Sequence, residues 1–157
     1  DAQLKLQPKD YFDMCARGNI ERLQEYFKHD PTLVKKASED GETCLHLASI
    51  SKSLELAQLL VKNGADVNHR VTHDQGLRMT PLSWHAFGGN HEIVKLLLDH
   101  GADVNAVFDH AVGSDIKITA TDVASNLVAQ IGEDGSDDFK KTLQFLLQKG
   151  GKKYAEL

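Results

Sequence analysis

The stretch from Gly41 to Asn68, GETCLHLASISKSLELAQLLVKNGADVN, is written a second time from Met79 to Asn105 as MTPLSWHAFGGNHEIVKLLLDHGADVN. Thr43 answers to Thr80, Leu45 to Leu82 and Glu55 to Glu92, and Gly64-Ala65-Asp66-Val67-Asn68 returns as Gly101-Ala102-Asp103-Val104-Asn105. Repetition constrains a fold strongly, because a unit this short cannot cover its own apolar face and must stack on its copies. Each matched residue also has a local cause. Thr43 and Thr80 stand where a side-chain oxygen caps a first helix, and Pro81 occupies the first helical position, where a missing N–H is harmless. Gly88-Gly89 interrupts the helical pattern after Phe87, and His91-Glu92 restarts it ahead of Ile93, Val94, Leu96, Leu97 and Leu98. Gly64 and Gly101 follow the second helices where the chain must turn left-handed, a conformation that glycine adopts without steric cost. The expected unit is therefore helix, turn, helix and an extended finger.

The two segments resemble the ankyrin repeat, whose pattern is a Thr-Pro-Leu-His opening, a glycine between two helices, a Leu-Leu pair and a closing Gly-Ala-Asp-Val-Asn. The resemblance implies an all-α solenoid of about four units with hairpin-like fingers, forming one domain over residues 1–157. The flanks are weaker copies, as end units with one neighbour should be. Tyr11 to Phe27, with Met14-Cys15-Ala16-Arg17-Gly18-Asn19 inside it, reads as an N-terminal cap in which Asp30-Pro31 replaces the closing glycine. Thr119 to Ala124 and Phe139 to Lys149, with Gly150-Gly151 behind, read as the inner and outer helices of a C-terminal cap. The units are expected at approximately 10–38, 39–75, 76–114 and 115–151.

Spacing departs from the pattern in one respect. The common period is about 33 residues, yet Thr43 to Thr80 is 37 and Thr80 to Thr119 is 39. Thr43 to Gly64 and Thr80 to Gly101 are each 21, so the surplus lies in two fingers, His69 to Arg78 and Ala106 to Lys117. Further surplus falls between Gln130 and Asp138. Loop-closure entropy rises only logarithmically with length, so each is either a tolerated insertion or a functional loop. The run from Gly132 to Asp138 lacks the alternating acids and distal Glu of an EF-hand, and reads as a solvated turn that caps the last helix.

Charge and composition narrow the partners. The formal net charge is −5, with no face-sized basic block, which opposes nucleic-acid binding. No apolar run approaches the roughly 20 residues that span a bilayer, so no membrane partner is expected either. Residue 1 is Asp, and no opening segment joins basic residues to an apolar stretch and a cleavage site, so the chain is expected to be a processed or excised piece of something longer. Cys15 and Cys44 fall in helical patterns without zinc or disulfide-framework spacing, which predicts buried, inert thiols and a reducing compartment. The resemblance points to the cytoplasm or nucleus, and to a monomer.

Catalytic chemistry has no visible carrier. There is no phosphate loop, nucleophile elbow or zinc-protease helix, and no cofactor is expected. His69 and His73 have a metal-binding spacing only if that finger is helical, and no further ligand is placed to complete a shell. His46 falls at the histidine of the Thr-Pro-Leu-His pattern, where the resemblance implies local hydrogen bonds; Ser83 and Asp122 stand there in the next two units.

The resemblance implies a protein partner, held by the fingers and the open side of the inner helices. On this sequence that strip takes in Asp40, Glu42 and Ile50 in one unit and Leu77, Met79, Trp84 and Phe87 in the next, with Arg70 and Arg78 on the long finger. Trp84 and Phe87 are three apart and share a helix side, and Trp, Met and Arg are enriched at interface cores. Trp84 is read either as an exposed anchor or as packing between helices; Phe87 and Met79 are expected to be exposed. Glu39, Asp40 and Glu42 on one finger face His69, Arg70, His73 and Arg78 on the next, which suits a partner of both charge signs. Two other readings compete: an accessory segment of a larger enzyme whose active site lies elsewhere, and a spacer without a partner. Asn68 and Asn105, each with a Leu eight residues earlier, also resemble the setting in which ankyrin asparagines are hydroxylated. The alternative for both is a purely structural tie between fingers.

Overall fold

The computed structural model describes residues 8–72, 77–132 and 137–157. Among them eight α-helices form four antiparallel pairs: α1 (Pro8–Arg17) with α2 (Ile20–His29), α3 (Cys44–Ser51) with α4 (Leu54–Lys62), α5 (Pro81–Phe87) with α6 (His91–Asp99), and α7 (Ala120–Ile131) with α8 (Asp137–Gln148). Inner helices stack in the order α1, α3, α5, α7 and outer helices in the order α2, α4, α6, α8. The core runs continuously between the two rows, from Tyr11 and Leu23 through Leu45, Leu56 and Leu60 to Leu82, Ile93, Leu97 and Leu146. A second, smaller apolar cluster of Val71, Met79, Phe108 and Val123 lies under the fingers.

The turns follow the glycine pattern. Gly64, Gly101 and Gly150 close the outer helices at φ of 89°, 88° and 82°, where an L side chain is strained. Caps differ from unit to unit. At Thr43 the imidazole of His46 receives the backbone N–H on Nδ1 at 3.2 Å. At Thr119 the hydroxyl accepts from the Asp122 N–H at 3.3 Å while the Asp122 carboxylate accepts the Thr119 N–H at 2.9 Å. Thr80 departs from the capping expected of it, since its hydroxyl makes no cap bond to the backbone and lies 3.4 Å from Ser83 Oγ.

Asparagines join one finger to the next. Asn68 Nδ2 donates to the Gly101 carbonyl at 3.1 Å and its Oδ1 accepts the Asp103 N–H at 2.8 Å. Asn105 repeats this one unit on, with Gly150 at 3.2 Å and the Lys152 N–H at 2.8 Å.

The cysteines correct the sequence reading. Cys15 and Cys44 are not free thiols but a disulfide, fully buried, that ties α1 to the start of α3. Residues 29 apart in sequence are brought side by side because α1 stacks directly on α3, a proximity that spacing alone does not reveal. With no free thiols, the cysteines give no support to a reducing compartment. Alkylation in denaturant without reductant should leave both cysteines unlabelled, and two labels appearing only after a dithiol is added; full labelling without reductant would remove the bond.

Candidate functional site

The inner helices leave one narrow face open. Thr43, Leu47 and Ile50 lie one above another along α3, as do Thr80, Trp84 and Phe87 along α5 and Thr119, Val123 and Asn126 along α7, by the three- and four-residue spacing of a helix. The lower row is covered, with Thr43, Thr80 and Thr119 buried. The upper row is open: Ile50 is 63% exposed and Phe87 47%, with Asn126 also exposed. Between these rows Trp84 is half-buried, set edge-on to His46 at 5.2 Å between ring centroids and packed against both apolar clusters. Both readings of Trp84 thus hold in part, since it packs between helices and still presents an edge.

Met79 corrects an expectation. It is 7% exposed rather than open, because the finger folds over it and places it with Val71, Phe108 and Val123. Leu77 is half-buried, and it and Arg78 take left-handed backbone at φ 59° each, a conformation unfavourable for branched or long side chains. A ladder holds them there. The Val71 N–H donates to the Met79 carbonyl at 3.0 Å, the Arg78 N–H to the Thr72 carbonyl at 3.3 Å and the Asp109 N–H to the Leu77 carbonyl at 2.9 Å. The ladder extends to both sides, through the Thr72 N–H to the Asp40 carbonyl at 2.8 Å and through an antiparallel pair in which β1 (Phe108–Asp109) faces β2 (Lys117–Ile118). The long Ala106–Lys117 insertion is therefore a hairpin built into the finger row.

The basic residues are mostly spent inside this row. Arg70 donates from Nη1 to the carbonyls of Arg78, at 2.9 Å, and Val107, at 2.7 Å, so it bridges two fingers. Arg78 Nε lies 3.7 Å from Asp109 Oδ2, and Lys117 Nζ pairs with Asp109 Oδ1. Asp109 is 2% exposed and was missed by sequence reasoning; the signal for it was an acid next to Phe108 in a finger that also supplies Lys117. Glu39, Asp40 and Glu42 contrast with these. None makes an ion pair among the described residues, and burial together with the neighbouring Asp40 raises the Glu42 carboxyl above its ordinary pKa. Of the histidine pair considered for metal, His69 lies 3.9 Å from Asp66 Oδ2 and His73 lies outside the described residues. So does most of the acidic turn, Glu133 to Ser136.

Two histidines are buried and neutral. His46 accepts at Nδ1 from the Thr43 N–H and directs Nε2 to the Met79 carbonyl at 3.3 Å. His85 places Nε2 2.9 Å from the Leu45 carbonyl and accepts at Nδ1 from Asn90 Nδ2 at 3.1 Å. Burial pushes both down to a pKa of about 4, outweighing the carbonyl hydrogen bonds that act the other way. They join one unit to the next and offer no base to a substrate.

Comparison with known proteins agrees with this architecture. Residues 12–109 match the family described as ankyrin repeats, in three copies. Over 86 residues the chain is 40% identical to ankyrin repeat and SAM domain-containing protein 6 of Rattus norvegicus, covering 55% of this chain and 9% of that protein. Over 85 residues it is 35% identical to the Notch-regulated ankyrin repeat-containing protein of Homo sapiens, covering 52% of this chain and 71% of that protein. The corresponding protein A of Danio rerio is 40% identical over 85 residues, with 52% and 72% covered. The chain thus spans only a small fraction of the first relative and most of the other two.

Proposed function

The chain belongs to the ankyrin-repeat family, whose repeats generally serve protein interaction, and on that premise we propose that it binds a partner protein through the open inner-helix face of its second and third units, with no catalysis of its own. The observation that carries this reading is the exposure of two large apolar side chains, Ile50 and Phe87, at equivalent positions of adjacent helices. The two stand at the same step of neighbouring inner helices, with Trp84 one turn below Phe87, and Phe87 also sets its ring edge-on to buried Phe108 at 6.5 Å between centroids. Apolar anchors of this kind carry most of the energy of an interface.

Trp84 is a poor probe of binding, because removing it also unpacks His46. Ile50→Ala with Phe87→Ala is the cleaner variant. It should stay folded, with a melting temperature lowered only slightly by loss of the Phe87–Phe108 contact, and weaken capture of the partner from an extract of the source cells by about 2 kcal/mol or more, roughly 30-fold. A Gln58→Ala variant on the outer helices serves as control. Capture unchanged by the double variant but lost with the control would place the interface on the outer helices.

A further inference from the structure

The apolar patch does not stand alone on its face. Glu42 immediately precedes the Thr43, Leu47, Ile50 row of α3, and Glu39 and Asp40 sit in the finger that feeds it. From that finger to Ile50 the helix climbs about 12 Å. The three acids make no ion pair among the described residues, whereas in the neighbouring fingers Arg70 is tied to protein carbonyls, Lys117 to Asp109, and Arg78, half exposed, lies 3.7 Å from the same carboxylate. The cations are thus fixed to finger groups, while the acids of the second unit are not. At the end of the apolar patch fed by the Glu39–Glu42 finger stand three carboxylates without an ion pair among the described residues.

Resting on the reading above, we infer that the partner segment is a basic amphipathic one, with apolar side chains on Ile50 and Phe87 and lysines or arginines over Glu39, Asp40 and Glu42. Complementary charge steers encounter and fixes orientation, while the apolar contact limits dissociation. An acidic partner would meet the same three carboxylates without relief. Burial first, and the neighbouring Asp40 second, raise the Glu42 carboxyl above its ordinary value.

Three synthetic peptides of about 18 residues, each long enough to cover some 27 Å as a helix, test the inference by fluorescence anisotropy at low and high salt. The first has a leucine stripe and lysines elsewhere, the second replaces the lysines with glutamates, and the third keeps the lysines and replaces the leucines with serines. The first should bind the intact domain at least about tenfold tighter than either of the others. Glu39→Gln, Asp40→Asn, Glu42→Gln together should lower its association rate about tenfold and flatten its salt dependence. Neutralising two outer-helix acids, Glu55→Gln with Glu92→Gln, should change neither, which separates the site from general attraction to a negatively charged protein. Equal binding of the lysine and glutamate peptides overturns the inference, as does a triple variant that binds like the wild type. Should the glutamate peptide bind and be lost with Ile50→Ala, Phe87→Ala, the surface stands and only its charge preference falls. Should that double variant leave every peptide's binding intact, the surface itself is wrong.

Discussion

Between pH 7 and pH 4 the domain should lose on the order of 3 kcal/mol of stability for each of His46 and His85. Both are held at a pKa of about 4 in the fold against an ordinary value of 6.5. Within that window the unfolded chain binds the proton and the folded chain does not, so stability is complete above about 6.5, falls as the pH drops towards 4, and levels off below it. Geometry explains why the folded form refuses the proton. Each ring already directs Nε2 to a buried carbonyl and accepts at Nδ1 from an N–H, so a second ring proton would meet a donor at His85 and, at His46, only the Thr43 hydroxyl at 2.9 Å, in a site closed to water. Domains are stable by only about 5–15 kcal/mol, so a combined loss of about 6 kcal/mol removes a large share of the stability by pH 4. Urea unfolding at pH 7, 6 and 5 measures the slope, and imidazole NMR titration assigns it. A stability flat across that range, or either ring titrating near 6.5, would refute the assignment.

Replacing Leu97 with Ala should destabilise the domain by about 2–5 kcal/mol. Leu97 is fully buried on α6, within the core between inner and outer rows. Its truncation removes apolar contact and leaves a cavity that neighbours on both sides are too well packed to fill. Leu147, on α8, is 54% exposed and supplies the comparison: its replacement by Ala should cost less than about 0.5 kcal/mol, as at an ordinary surface site. Both are leucines of outer helices, so a difference between them measures position rather than residue type. Equal effects in urea unfolding would mean that the outer helices do not face the core as described.

Expectations placed on the second finger turned on how that finger folds. Met79 was expected to be open because it precedes the inner helix, but the long second finger folds across it and buries it with Phe108. Arg70 and Arg78 were placed on the long finger beside the apolar strip, and in the fold Arg70 bridges two finger carbonyls while Arg78 flanks a buried acid. These residues lie in or beside a finger longer than the common period, where no repeat supplies a template for the chain, whereas the cysteines lie in helices of ordinary length.

The sequence by itself determined the helix pairs, their boundaries at glycine, the stacking of four units and the buried face of each helix. These follow from signals that recur every few residues and are local: apolar periodicity, caps and left-handed turns. Ile50 and Phe87 were legible too, because the repeat register alone puts them on the open side. Tertiary structure alone decided the disulfide between Cys15 and Cys44, the hairpin of the third finger, the burial of Asp109 and the tethering of Arg70 and Lys117 to finger groups. Those depend on which residues from different units come within a few ångströms, and electrostatic and covalent partners at that range are set by stacking geometry rather than by any spacing along the chain.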